Sequence, residues 1–329
     1  MEGGGKHGLA YAGVLCVLEE KGILQKIEKV AGSSAGAIAG MLVSIGYSVN
    51  EIDSVMMNLQ LEKFNDGHGG IIGKYKRFTN DFGIYKGEAF EKWLQYLVMK
   101  KTGNGRLNFS QLHQLHLNNN SYKDFYCTGT NLSRQQLEIF SNEHTPTMPL
   151  ALAVRISSSI PLYFEPVALN NNLQKINKSD SLSFINYYVD GGMLCNYPIS
   201  IFDSCISGGN PLFCDQLIFN TQTIGIKLER PQQIDSLQRN SITIPSYTIS
   251  KLSEYLSAFS NLLMETLSRK YPRLENEKSR TIYVNQGELT ALIKKTSRSD
   301  KIILYNNGVK AANDFFGENK IGGISVLAR

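Results

Sequence analysis

The sequence predicts an α/β fold with parallel strands, and three observations carry that expectation. Its first fifty residues run as glycine loop, helix, strand, sharp turn and helix, the wiring of a parallel sheet whose loops at the carboxyl ends of the strands build sites. A second β-rich run, Phe184 to Val189, ends in Asp190 and bends at Gly191 and Gly192. No Pro/Gly/Ser-rich linker divides the 329 residues, so residues 1–329 read as a single domain.

The chain opens on a glycine cluster, GGGKHG, from Gly3 to Gly8. Next, LAYAGVLCVLEEKG places Leu9, Ala12, Leu15 and Leu18 at helical spacing, with Gly22 at the C-cap. The short β-leaning run ILQKIEKVAG ends at Gly32, and SAGAIAGMLVSIG reads as a second helix stopped at Gly46. Between that strand and helix lies GSSAG, a G-x-S-x-G match from Gly32 to Gly36 with Ser34 at its centre. A serine on a strand-to-helix elbow needs small neighbours for the backbone to turn, and the following helix directs its positive end towards the hydroxyl.

The opening glycines admit three uses. Gly3, Gly5 and Gly8 satisfy G-x-G-x-x-G, and Glu28 lies twenty residues beyond Gly8, as in a dinucleotide fold. Against that use, Glu28 precedes the end of its strand, and no Gly-Lys-Ser/Thr follows to make a phosphate loop. The glycines can also simply permit a tight turn. In the third use, unobstructed backbone N–H groups stabilise a tetrahedral oxyanion.

A serine nucleophile needs a base. The five histidines are His7, His68, His113, His116 and His144, and none lies in the last 185 residues, which excludes the serine, acid, late-histidine order of an α/β-hydrolase. Asp190, at a strand's carboxyl end before two glycines, is the remaining candidate, with an aspartate that merely caps a turn as the bland alternative.

Composition narrows the classes. With 42% hydrophobic and 19% charged residues the chain can bury a large core, and disorder is not expected. A net charge of +5 is compatible with an anionic membrane surface or nucleic acid and specifies neither. Cys16, Cys127, Cys195, Cys205 and Cys214 are widely spaced, so reduced thiols are expected, with neither a disulfide framework nor a zinc site. The small and apolar run from Val30 to Tyr47 is broken by serines and glycines, and neither a membrane span nor a signal peptide is read.

Taken together, GGGKHG, GSSAG and Asp190-Gly191-Gly192 resemble the patatin-like phospholipase family, and AVRISSSIPLYFEPV, YVDGGMLCNYPI, RTIYVNQG and KIILYNNGVKAANDFF resemble further blocks of it. The resemblance implies a three-layer α/β/α patatin-like fold with a mostly parallel central sheet and helices on both faces. It implies Ser34 as nucleophile, Asp190 as base, and backbone N–H groups of Gly3, Gly4 and Gly5 as oxyanion hole, with Gly32, Gly36, Gly191 and Gly192 as motif positions and Arg155 as a structural contact. The implied activity is a lipid acyl hydrolase of phospholipase A type working through an acyl-enzyme, without metal or cofactor. Alternatives are a lysophospholipase or neutral lipid esterase, or a non-catalytic lipid-binding protein on the same scaffold.

Implied partners are a phospholipid or other acyl-ester lipid and a membrane surface, with no nucleic acid; an activating protein stays open. The implied location is cytoplasmic and peripherally membrane-associated, with delivery into a host cell left open. Two departures stand out. His7 occupies a position where the family has Arg or Lys, and only Met1 and Glu2 stand where the family has an apolar strand, so weaker turnover than with a restored strand is expected. Segments 61–120 and 170–183 match poorly and are candidate caps. Within the first, the stretch from Gly67 to Tyr85 with Lys74, Lys76 and Arg77 reads as a cap or a surface loop. Lys251 to Tyr271 carries an apolar helical face suited to the core or to a lid.

Overall fold

The computed structural model describes residues 1–176, 185–214, 216–238, 275–287 and 297–318, with single residues 249, 258 and 262. The candidate helix over 251–271 therefore falls outside the described residues, apart from 258 and 262, as do residues 177–183 of the second candidate cap. The fold is the α/β fold that the sequence predicts.

Strand β1 (Lys29–Gly32) pairs in parallel with β3 (Asp124–Asn131), Gly32 opposite Cys127. β4 (Gln136–Phe140) and β7 (Asn186–Asp190) run antiparallel to β3, and β6 (Val167–Leu169) runs antiparallel to β7. Because Cys127 pairs with both β1 and β4, and Gly129 with both β4 and β7, β1 and β7 must share one edge of β3. β1 ends opposite Cys127 and β7 ends opposite Gly129, so their carboxyl ends meet head-on, with Thr128 between them.

A parallel pair, β10 (Gly225–Glu229) and β11 (Thr281–Asn285), continues the sheet beyond β1. The bridge is made by Met1 and Glu2. The Met1 amino group donates to the Ala31 carbonyl (2.8 Å), Ser33 N–H to Met1 (3.2 Å) and Glu2 N–H to Ile226 (3.1 Å), while the Glu2 carboxylate accepts from Leu228 N–H (2.7 Å). The glycine loop is thus anchored by a two-residue strand substitute.

Strand alternation divides the apolar residues between the two faces. Val30, Phe125, Cys127 and Phe140 face the main core, where α1 (Ala10–Glu20), α2 (Ala35–Ser44), α6 (Phe109–Asn118) and α7 (Leu150–Ser157) pack. All ten residues of α2 are buried, which explains the apolar run from Val30 to Tyr47 as a core helix. Ala31, Tyr126 and Ile139 face the other way, onto Ile201, Phe202 and Leu212 of two short 3-10 turns. Within the first candidate cap, α5 (Glu88–Thr102) and α6 bury Leu94, Leu97, Phe109 and Leu112 in the main core. The preceding α4 (Gly70–Asp81) stands outside it and connects through β2 (Gly83–Tyr85) to β5 (Leu162–Phe164).

One expectation is corrected. Cys205 and Cys214 form a disulfide, Cα atoms 5.8 Å apart, beside the hairpin of β8 (Ser204–Cys205) and β9 (Leu217–Ile218). Gly208 and Gly209, both at positive φ, reverse the chain between them, a proximity that a sequence separation of 9 does not announce. Cys16, Cys127 and Cys195 are free thiols. No helix among the described residues is long and apolar enough to cross a membrane.

Candidate active site

Ser34 sits at the N-terminus of α2 with φ 50° and ψ −119°, a left-handed conformation costly for any residue with a side chain. The turn closes so tightly that a Cβ at Gly32 would lie 2.2 Å from the Gly36 carbonyl oxygen, and one at Gly36 would lie 2.4 Å from that of Met1. Both outer positions of G-x-S-x-G are therefore closed to every other residue. Ser33 points the opposite way, its Oγ 2.5 Å from Thr128 Oγ1 and donating to the Cys195 carbonyl (2.9 Å). The Ser34 N–H donates to Ser157 Oγ (3.0 Å). These bonds hold the elbow against β3 and α7.

The Ser34 hydroxyl donates to Asp190 Oδ2 at 2.8 Å, joining residues 156 positions apart. Asp190 is wholly buried, Ser34 only 6% exposed. The other carboxylate oxygen accepts from Gly192 N–H (2.7 Å), and the Asp190 N–H donates to the Ser159 carbonyl (2.9 Å). Burial raises the Asp190 carboxyl from 3.8 to about 7, against the opposing pull of the Gly192 and Ser34 hydrogen bonds. Gly191 is obligatory here: its Cβ would fall 2.2 Å from Thr128 Oγ1.

The opening glycines lie across the elbow, since a Cβ at Gly3 would approach Ser34 Cβ to 3.0 Å and one at Gly8 would approach Ala35 Cβ to 2.9 Å. Their amides do not behave alike. Gly3 N–H donates to the Asn196 carbonyl (2.9 Å), so of the three expected anion donors this one is already engaged. The Gly3 carbonyl in turn accepts from Asn196 Nδ2 (3.0 Å), and the Gly4 carbonyl accepts from His7 through Nδ1 (3.0 Å) and N–H (3.1 Å). In a trans peptide the C=O and N–H point in opposite directions, so Asn196 and His7 fix the two peptide planes and turn the Gly4 and Gly5 N–H groups away from themselves.

Asn196 was missed in the sequence, although it stands six residues after Asp190 in the same quoted block. His7, which the sequence leaves open between a site residue and a loop side chain facing solvent, is buried at 1% exposure and holds the loop from within. Three other histidines have partners elsewhere: His113 with Asp124, His116 with the Tyr122 carbonyl and His144 with Ser141. Glu28 is exposed at the amino end of β1, the opposite end from the glycines, which removes the dinucleotide reading. Among the described residues no three His, Cys, Asp or Glu side chains gather as metal ligands would.

An elbow serine bonded to a buried carboxylate, under a glycine loop and on a mixed α/β sheet, defines an α/β protein with its site at the carboxyl ends of its strands. The chain belongs to the patatin-like phospholipase family, whose model matches residues 1–203. It is similar to the uncharacterized protein YqhO of Bacillus subtilis (34% identical over 210 residues, 61% of this chain and 64% of that protein) and to the probable lipid hydrolase 463L of Invertebrate iridescent virus 6 (27% over 208 residues, 61% of each). The match thus covers less than two thirds of these relatives' lengths. Among solved structures it resembles VipD from Legionella pneumophila, with a TM-score of 0.62 at 18% identity, covering 96% of this chain and 66% of that one.

Proposed function

We propose that this chain is a lipid acyl hydrolase of phospholipase A type acting through a Ser34–Asp190 dyad, and the observation that carries the reading is the 2.8 Å bond from a strained elbow hydroxyl to a buried carboxylate. Ser34 Oγ attacks the ester carbonyl and Asp190 takes its proton; the alkoxide of the lysolipid leaves with that proton, giving an acyl-enzyme. Water then attacks, Asp190 again accepting a proton, and the fatty acid departs with Ser34 restored. Membership of the patatin-like family and the likeness to a probable lipid hydrolase support a lipid ester as substrate.

The oxyanion falls to the Gly4 and Gly5 N–H groups at the head of α2, with Asn196 and His7 as positioning residues. The His7 ring thereby holds the loop through its bond to the Gly4 carbonyl.

The test is fatty-acid release from phosphatidylcholine vesicles at neutral pH, with labelling by a serine-reactive phosphonate in parallel. Release together with labelling supports the hydrolase; neither, from folded protein, leaves a scaffold that only binds. The pH dependence gives a second prediction. Asp190 must be ionised to accept the proton, and burial raises its pKa to about 7. The value of kcat/KM is therefore expected to fall about tenfold per pH unit below neutrality and to level off above it. A profile flat through the weakly acidic range would sink the base assignment.

A further inference from the structure

Helix α4 presents an apolar face to solvent. Ile71, Ile72 and Tyr75 are 86%, 82% and 70% exposed, and Phe78 is also exposed, a set at the i, i+1, i+4, i+7 spacing of one helical face. The opposite face is the attachment. Arg77 is buried there, donating to the carbonyls of His68 (2.7 Å) and Ile84 (3.0 Å), so of the three cations that the sequence places here only Lys74 and Lys76 are exposed, one on each flank of the apolar face. A soluble chain rarely leaves four large apolar side chains contiguous and bare. Buried fastening, exposed apolar stripe and flanking lysines are the anatomy of a helix that lies in a lipid interface.

We propose that α4 is the membrane-docking element of this protein, its apolar face inserting among acyl chains while Lys74 and Lys76 meet anionic headgroups. The choice of a bilayer as occupant rests on the lipid-ester reading above and on the charge of the flanks, in a chain of net charge +5. The helix is wired to the candidate site. β2, which follows it, pairs with β5 at Gly83–Leu162 and Tyr85–Phe164, and β5 begins three residues after Ser159, whose carbonyl holds the Asp190 N–H. Helix α4 is thus joined to the support of the dyad through two strands.

The test uses the full chain with Ile71, Ile72, Tyr75 and Phe78 all changed to Ser, beside a Lys74→Gln/Lys76→Gln variant. Sedimentation with phosphatidylcholine vesicles, with and without phosphatidylserine, reads binding, and turnover of a soluble short-chain ester reads the dyad. The serine variant is expected to lose roughly a hundredfold or more of vesicle affinity. The lysine variant should lose only the preference for phosphatidylserine, and both should turn over the soluble ester as wild type does. Unchanged vesicle binding by the serine variant, with an unchanged circular dichroism spectrum, overturns the proposal. So does a wild type that ignores vesicles; a dimer that only wild type forms would then assign the face to a second copy of the chain. If wild type binds vesicles through α4 but hydrolyses no ester, the hydrolase reading falls and the docking stands.

Discussion

Asp190→Asn is expected to lower kcat for ester hydrolysis by about two to four orders of magnitude, the usual worth of a general base, and Ser34→Ala to abolish phosphonate labelling. The amide fills the carboxylate's volume and keeps an acceptor for Gly192 N–H, but it cannot take the Ser34 proton. Its effect on stability should have the opposite sign. The carboxyl titrates at 3.8 when solvated and at about 7 when buried. A folded pKa above the unfolded one stabilises the protein fully below the unfolded value, and that stability is lost as pH rises through the folded value. Wild type should therefore lose about 4 kcal/mol between pH 4 and 7 on this account, while the amide variant loses none of it. Denaturant midpoints above neutral pH should place Asp190→Asn at or above wild type. A variant that keeps activity within tenfold of wild type would remove Asp190 from the chemistry, and one that is less stable would contradict the desolvation account.

Arg155→Met is expected to destabilise the protein by about 3–5 kcal/mol, among the largest effects a single change can have. The guanidinium is buried over the Phe164 ring and donates to the carbonyls of Gly87 (2.9 Å), Lys86 (2.8 Å) and Glu165 (3.1 Å), as well as to Ser159 Oγ. Burial lowers its pKa from 12.5 to about 10, so it stays charged at neutral pH. Methionine fills the space but takes the guanidinium donors from the Lys86 and Glu165 carbonyls and from Ser159 Oγ, leaving the Gly87 carbonyl only its bond from the Glu91 N–H. Lysine supplies a point of charge where a planar fork is needed and should recover only part of the loss. Catalysis should suffer as well in the folded fraction. Arg155 holds the turn whose Ser157 and Ser159 grip Ser34 and Asp190, and a shift of about 1 Å can cost a hundredfold in rate. Equal denaturation midpoints for wild type and Arg155→Met would disprove this role.

The parts of this arrangement that were legible in the sequence are those whose chemistry is local. An elbow requires glycines at fixed offsets from its serine, so Gly32, Ser34 and Gly36 are readable without a fold, and the helical spacing of Leu9 to Leu18 announces α1. Eliminating histidines leaves a carboxylate as the base, and Asp190 stands out among the carboxylates because it ends a β-rich run before Gly191 and Gly192. What stayed hidden depends on contacts distant in sequence. Asn196 is an ordinary asparagine until Gly3 is brought from 193 positions away to meet both its backbone and its side chain. Arg77 reads as a surface cation beside Lys74 and Lys76 until the fold turns it inward. Met1 and Glu2 looked too short to anchor a glycine loop, yet backbone groups need only a partner strand on each side, and β1 and β10 provide them.

The meeting of β1 and β7 on one edge of β3 has a consequence for how the gene can drift. Side chains on a strand alternate between faces, so inserting or deleting one residue within Asn186–Asp190 would carry the carboxylate to the far side of the sheet, with no rotamer able to bring it back. The two short stretches that abut at Thr128 are therefore expected to keep their length even where their letters change.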